Sequence, residues 1–331
     1  MKAIKFFAIS AMAAAMITSC STDDELSQSN YPSDNIVRVT AGVNNAKTRA
    51  EGAGTEMKKD FSLTIVNKNA PKYTYTDKVF SKTSGDWACS ETLLWQKSDA
   101  LVDIVAFAPA QTGKFNGVYA NGSIQPIAYS VASDQSSDQS TSSDNNDLLY
   151  YYAKDFNPGE SLDKGKLNIQ FNHAFCMIDI NVTLGTEFNK PEVLKESPIV
   201  KVTLGGTKIA ANVNVTNAAS VVTISETDAA TDITTTKGSF DKAADPEANA
   251  KSHFSCIAIP QTVGANTFKV SLMTADKLYE WTSDKEITLQ SGYRYTLELS
   301  MGNDVVLLKG GSISASPWTE GDTGDKPLET D

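Results

Sequence analysis

Apolar residues recur at every second position along this chain, in short runs about ten residues apart, and that spacing marks half-buried β-strands. Val37, Val39, Ala41 and Val43 alternate with Arg38, Thr40 and Gly42. The pattern returns in Phe61–Ile65 and in Tyr73–Tyr75. Leu101–Phe107 is instead a continuous apolar stretch, broken by Asp103 and closed by Pro109, as expected of a buried strand. Leu167–Leu184 is the longest candidate, with Cys176, Ile178, Ile180 and Val182 on one face and Phe175 and Met177 on the other. Further strands are expected over Ile199–Leu204, Ala211–Val215, Val221–Ile224, His253–Ile259, Thr267–Met273, Leu278–Trp281 and Tyr293–Leu299. Leu204-Gly205-Gly206, Val263-Gly264-Ala265-Asn266 and Gln290-Ser291-Gly292 supply turns between them. Beyond Cys20 no long stretch sustains the i, i+3, i+4, i+7 spacing of a helix. Asp99–Ala106 comes nearest, but its Val102, Ile104 and Val105 favour a strand. The expected fold class is all-β, built of sandwich or barrel domains.

With 331 residues the chain has length for two such domains once a leader is subtracted. Ser133–Asp147 is a low-complexity insert of serine, aspartate and glutamine, too polar to pack. The domain break is expected shortly after it, near Asn157-Pro158-Gly159. That gives an N-terminal β-domain over 50–158 and a C-terminal one over 159–331.

The leader occupies residues 1–19. Lys2 and Lys5 provide a positive start, Phe6–Ile17 a short apolar run, and Thr18-Ser19 small residues directly before Cys20. The run is too short to remain as a transmembrane helix and reads as a secretory signal. A cysteine at the cleavage position matches a bacterial lipobox, whose thiol is diacylated and becomes the new N-terminus. Each acyl CH₂ buried in the outer-membrane lipid adds about 0.8 kcal/mol of anchoring. Residues 20–49 then form a lipidated tether and a first strand, opening on the acidic Asp23-Asp24-Glu25.

Composition narrows the chemistry. Asp and Glu outnumber Lys and Arg by 40 to 29, so no basic surface for nucleic acid is expected. His173 and His253 each sit in a strand and read as hydrogen-bonded structural residues. There is no H-E-x-x-H, G-x-S-x-G or P-loop, so no catalytic site is expected. Of the four cysteines, Cys89, Cys176 and Cys256 remain after lipidation of Cys20, without the C-x-x-C spacing of a metal site. No metal and no cofactor is expected. Cys176 and Cys256 read as buried thiols acting as small hydrophobes, with no disulfide required. The acidic residues of the 133–147 insert lack the spacing of a calcium loop.

Together these landmarks resemble the fimbrillin-type (FimA/Mfa-like) fimbrial subunits of Bacteroidetes. The lipobox at Cys20 is one match, and the acidic cluster behind it resembles the export signal of surface-exposed lipoproteins of that phylum. Lys47-Thr48-Arg49-Ala50 resembles the site at which such precursors are cut after an arginine. Val102–Pro109, Asp134-Gln135-Ser136 with Asn146–Tyr150, and Leu167–Ile178 with its Phe171 and His173 follow in order. Gly292–Thr296 and Ile313–Trp318 complete the set.

The resemblance implies two tandem transthyretin-like antiparallel β-sandwich domains and a structural, adhesive role at the cell outer membrane and surface. It also implies an arginine-specific protease acting between Arg49 and Ala50, and other fimbrial subunits as partners. Cleavage would release the strand carrying Val37, Val39, Ala41 and Val43. A sandwich that loses a strand exposes an apolar groove and unpaired backbone groups, which a strand from a neighbouring subunit can fill. Val305, Leu307, Ile313, Ala315 and Trp318 are candidates for the donated strand. The alternative is a surface lipoprotein that stays anchored and binds a glycan or host ligand, with Trp87, Trp95, Trp281 or Trp318 as stacking surfaces.

Overall fold

The alternating runs form strands, except that Tyr73 closes a 3-10 turn over Pro71–Tyr73 and the strand expected at Tyr73–Tyr75 starts only at Tyr75. A computed structural model describes residues 30–44, 55–136, 146–189, 192–225, 228–308 and 313–318. The first strands are β1 (Val39–Val43), β2 (Thr55–Glu56), β3 (Phe61–Val66), β4 (Tyr75–Thr83), β5 (Asp86–Cys89) and β6 (Val102–Ala108). Next come β7 (Tyr119–Ala120), β8 (Ser123–Ile124), β9 (Ile127–Ser130), β10 (Leu149–Phe156), β11 (Leu167–His173) and β12 (Cys176–Leu184). The middle of the chain gives β13 (Ile199–Gly205), β14 (Ala210–Val213), β15 (Val222–Ile224), β16 (Ile233–Thr234), β17 (Thr236–Asp241) and β18 (Lys251–Ala258). The rest are β19 (Thr262–Val263), β20 (Lys269–Thr274), β21 (Leu278–Thr282), β22 (Ile287–Thr288), β23 (Tyr293–Met301), β24 (Val306–Leu308) and β25 (Ser314–Pro317). Among the described residues helix is confined to single turns, such as Pro158–Ser161, and none is long and apolar enough to cross a membrane.

One sheet runs β2-β1-β11-β10-β6-β3-β4-β5. It encloses a core of Val39, Leu63, Ile104, Ile169, Phe171 and neighbours, centred on Phe61, whose ring stacks on Phe80 and meets Phe171 edge-on. A larger core lies between the sheet β17-β18-β12-β23-β24 and the sheet β16-β13-β20-β21. All seven residues of β6 are buried because both of its faces are covered. Ile104, Ala106 and Ala108 serve the smaller core, while Val105 and Phe107 serve the larger one. That is why this strand reads as an unbroken apolar run.

Other expectations also differ from what is observed. Leu167–Leu184 is two strands in different sheets, because the chain turns at Ala174-Phe175 and passes from one core to the other. The expected domain division at 158/159 falls between β10 and β11, which are paired neighbours in the first sheet, so the change of core comes at His173–Cys176 instead. Part of the earlier chain also belongs to the larger core: Phe115, Val118, Ile127 and Tyr129 pack there, and β9 pairs with β14. The polar insert is packed at both ends, where Gln135, Asn146 and Asp147 are buried. Pairing is mostly antiparallel, but β1 with β11 and β12 with β23 run parallel.

Candidate functional site

The strand singled out from the sequence closes a seam. Val37, Val39 and Val43 are buried and Ala41 is half-buried, all against the smaller core, while Arg38 and Thr40 face solvent. Arg38 is held at the surface by Asp34 at 2.5 Å. On one side β1 lies along β11 with Val39 opposite Leu167 and Val43 opposite Phe171. Leu167 N donates to Arg38 O at 2.8 Å and Asn44 N to Phe171 O at 2.7 Å, so the pairing extends past both ends of the strand. On the other side the segment meets residues 93–95. Val37 N donates to Leu93 O at 2.9 Å, and Trp95 N to Asn35 O at 2.8 Å. Further along, β1 pairs with β2, Val43 standing opposite Thr55. The segment is therefore paired on both sides, by β11 along residues 38–44 on one and by residues 93–95 and β2 towards its two ends on the other, and the chain links β1 to β2 through 45–54. Cys20, Arg49 and Ala50 lie outside the described residues.

The C-terminal candidates lie along the edge of β23 opposite β12. Tyr293–Thr296 pairs with β25, and Leu299–Met301 pairs with β24. Of the donor candidates in β24 and just before it, neither faces inward. Val305 and Leu307 are exposed by 50% and 59%, while Val306, opposite Met301, is buried. Ala315 is exposed, Ile313 is half-buried against the larger core, and Trp318 is buried. Trp318 N donates to Gly292 O at 2.6 Å.

His173, at the end of β11, faces this C-terminal anchor. Its imidazole stacks on the Trp318 indole with centroids 3.7 Å apart, and its Nδ1 lies 2.9 Å from Asp147 Oδ1. Burial alone would push the Asp147 carboxyl up. The charge and hydrogen bond of His173, with Lys59 adding to them, outweigh it and hold the group below the ordinary carboxylate range. Nothing in the chain sequence around Asp147 signals this partnership, which links residues 26 positions apart. His253 contacts Asn181 at 2.8 Å and Asp241 at 2.9 Å, a surface hydrogen-bond ladder.

The four tryptophans pack on the two cores to different depths, with Trp87 and Trp281 half-buried. Trp95 and Trp318 are buried, Trp87 packs on Phe61 and Trp281 on Phe268. Among the described residues no group of three His, Cys, Asp or Glu side chains is placed to hold a metal ion.

Two apolar cores, all-β pairing and a first strand that closes a seam define a β-sandwich protein. Residues 48–318 match the family described as Fimbrillin-like. The chain belongs to that family, which is structural and non-enzymatic. Solved structures share the fold. A candidate cell adhesion protein from Bacteroides ovatus ATCC 8483 superposes with a TM-score of 0.60 at 16% identity, over 86% of this chain and 97% of that one. Another from Bacteroides uniformis ATCC 8492 gives 0.54 at 15% identity, over 87% and 100%. A fimbrial protein from Bacteroides vulgatus ATCC 8482 gives 0.51 at 15%, over 86% and 99%. No curated protein matches the sequence. Family membership supports a fimbrial subunit role at the cell surface, in assembly with other subunits.

Proposed function

We propose that the chain is a fimbrial subunit exported as a lipoprotein, acylated at Cys20, cut between Arg49 and Ala50 by an arginine-specific protease, and polymerised by donor-strand exchange. The observation that carries this reading is the two-sided pairing of residues 35–43. A cut within 45–54 leaves β1 attached to its subunit by non-covalent contacts alone. Departure of the strand uncovers Phe171, Leu93 and Met57 and frees backbone groups on β11, β2 and residues 93–95. Those deficits are what an incoming strand satisfies, with main-chain bonds for affinity and alternate side chains for register. The incoming strand takes the place of one parallel to β11. The C-terminal segment supplies a donor whose inward residues are Val306, Ile313 and Trp318.

The test is the N-terminus of the protein extracted from the cell surface, together with filament length in Arg49→Ala. A start at Ala50 and loss of filaments in the variant are expected. An intact acylated Cys20 in assembled filaments, or normal filaments from Arg49→Ala, would overturn the reading.

A further inference from the structure

We propose that the first strand and the last are coupled through the end of β11, so that the C-terminal strand is held on its own subunit while β1 is in place and is loosened when β1 leaves. This rests on the strand-release reading above and adds to it a device that times the donor. Val43 stands opposite Phe171, Asn44 N bonds Phe171 O, and Asn44 Nδ2 donates to Asn172 Oδ1 at 2.8 Å. The next residue is His173, whose ring carries Trp318. Two consecutive residues of β11 thus hold the end of β1, and the third holds the end of β25.

The grip on Trp318 is set by the direction of the His173 ring. Asp147 fixes one edge of that ring, and its other nitrogen, Nε2, is buried without a hydrogen-bond partner. A buried polar atom left unpaired is a cost carried by the docked state. Undocking Trp318 opens the imidazole to water and relieves that cost, so the clasp is poised to open. What keeps it shut is the position of His173 on a strand bonded on both sides, by β1 up to Phe171–Asn172 and by β10 at Leu149. Removing β1 leaves the β10 side alone and lets the end of β11 shift. Coupling of this kind is reciprocal: whatever loosens Trp318 must loosen β1 by the same factor.

The experiment is hydrogen exchange read by mass spectrometry on the full-length, uncut chain, in wild type, Val43→Asp, Asn44→Ala and Trp318→Leu. Val43→Asp is expected to speed exchange at 39–43 and also at 314–317, the latter about tenfold, while 269–274 in β20 stays protected. Trp318→Leu is expected to speed exchange at 39–43 by a similar factor. If Val43→Asp opens β20 as well, the milder Asn44→Ala and the reciprocal Trp318→Leu carry the test. Opening of 39–43 with 314–317 still protected, or no change at 39–43 in Trp318→Leu, would overturn the coupling. Filaments that form without cleavage at Arg49 would instead overturn strand release and leave the exchange result standing.

Discussion

The side chain of Gln135 serves Ile257 as a neighbouring strand would: Gln135 Nε2 donates to Ile257 O at 2.9 Å, and Ile257 N donates to Gln135 Oε1 at 2.8 Å. The reason lies in the edge of β18. Its partner β17 begins at Thr236, opposite Ser255, and Ile257 lies beyond its reach. Gln135 is fully buried and continues the ladder there. Gln135→Leu should leave two buried backbone groups unpaired, at about 1–3 kcal/mol each. Thermal or denaturant unfolding checks this, and a loss below about 0.5 kcal/mol, the scale of an ordinary surface change, would mean the amide is dispensable.

Asp147 makes stability depend on pH in a defined direction. Its carboxyl lies below the ordinary range in the folded chain and returns to that range on unfolding. The unfolded chain therefore takes up the proton first as the pH falls. The stability contributed is present above about pH 4 and is lost as the pH drops through the folded-state value. Asp147→Asn should lower the melting temperature at neutral pH, since the buried carboxylate's hydrogen bond to His173 is weakened and a hydrogen bond to a charged group contributes about 1.5–3 kcal/mol. The variant should also show a shallower decline between pH 5 and 3 than the wild type. Parallel acid declines in both proteins would count against the assignment.

Much of the fold was legible because it rests on local signals. Alternation marked β1, β13, β18, β20 and β23, and Leu204-Gly205-Gly206 marked a turn that needs glycine. Gly206 has φ +88°, and a Cβ there would meet Thr267 O at 2.2 Å. What the sequence hid is non-local. Leu167–Leu184 alternates throughout, so nothing in its period shows that Ala174-Phe175 carries the chain between cores. Gln135 and Asp147 look like loop residues because their partners, Ile257 and His173, are remote or become neighbours only in three dimensions. The register of β24 is not legible either, because Val305-Val306-Leu307-Leu308 is apolar at every position, and such a run does not say which side faces inward.

The three described cysteines should divide sharply in reactivity. All are free. Cys176 and Cys256 face the larger core, and burial pushes both thiols up, with Cys176 Sγ donating to Ala258 O at 3.2 Å. Cys89 is half-exposed on β5. Iodoacetamide at pH 8 should modify Cys89 in the native protein, and Cys176 and Cys256 only after denaturation. Reductant should leave the melting temperature unchanged, and Cys176→Ala should cost about 1 kcal/mol as a small cavity.

Val39 tests the seam most directly. Its side chain is 5% exposed in the smaller core, while Thr40, one residue on, is exposed, its hydroxyl donating to Asn168 Oδ1 at 3.4 Å. A carboxylate at position 39 would enter an apolar core of Val43, Leu167, Ile169 and Phe171, at a cost of several kcal/mol even after partial relaxation. The same charge at position 40 stays in water and should change stability by less than about 0.5 kcal/mol. In the uncut chain, then, Val39→Asp should lower the melting temperature by many degrees and Thr40→Asp by few. After cleavage at Arg49 and loss of the released segment, both variants should melt like cut wild type, because the altered residue has gone. Cut wild type should in turn melt below uncut wild type, by the loss of three buried valines at about 1.5–3 kcal/mol for each fully buried side chain. Equal melting of cut and uncut wild type would show that β1 contributes nothing to the seam it closes.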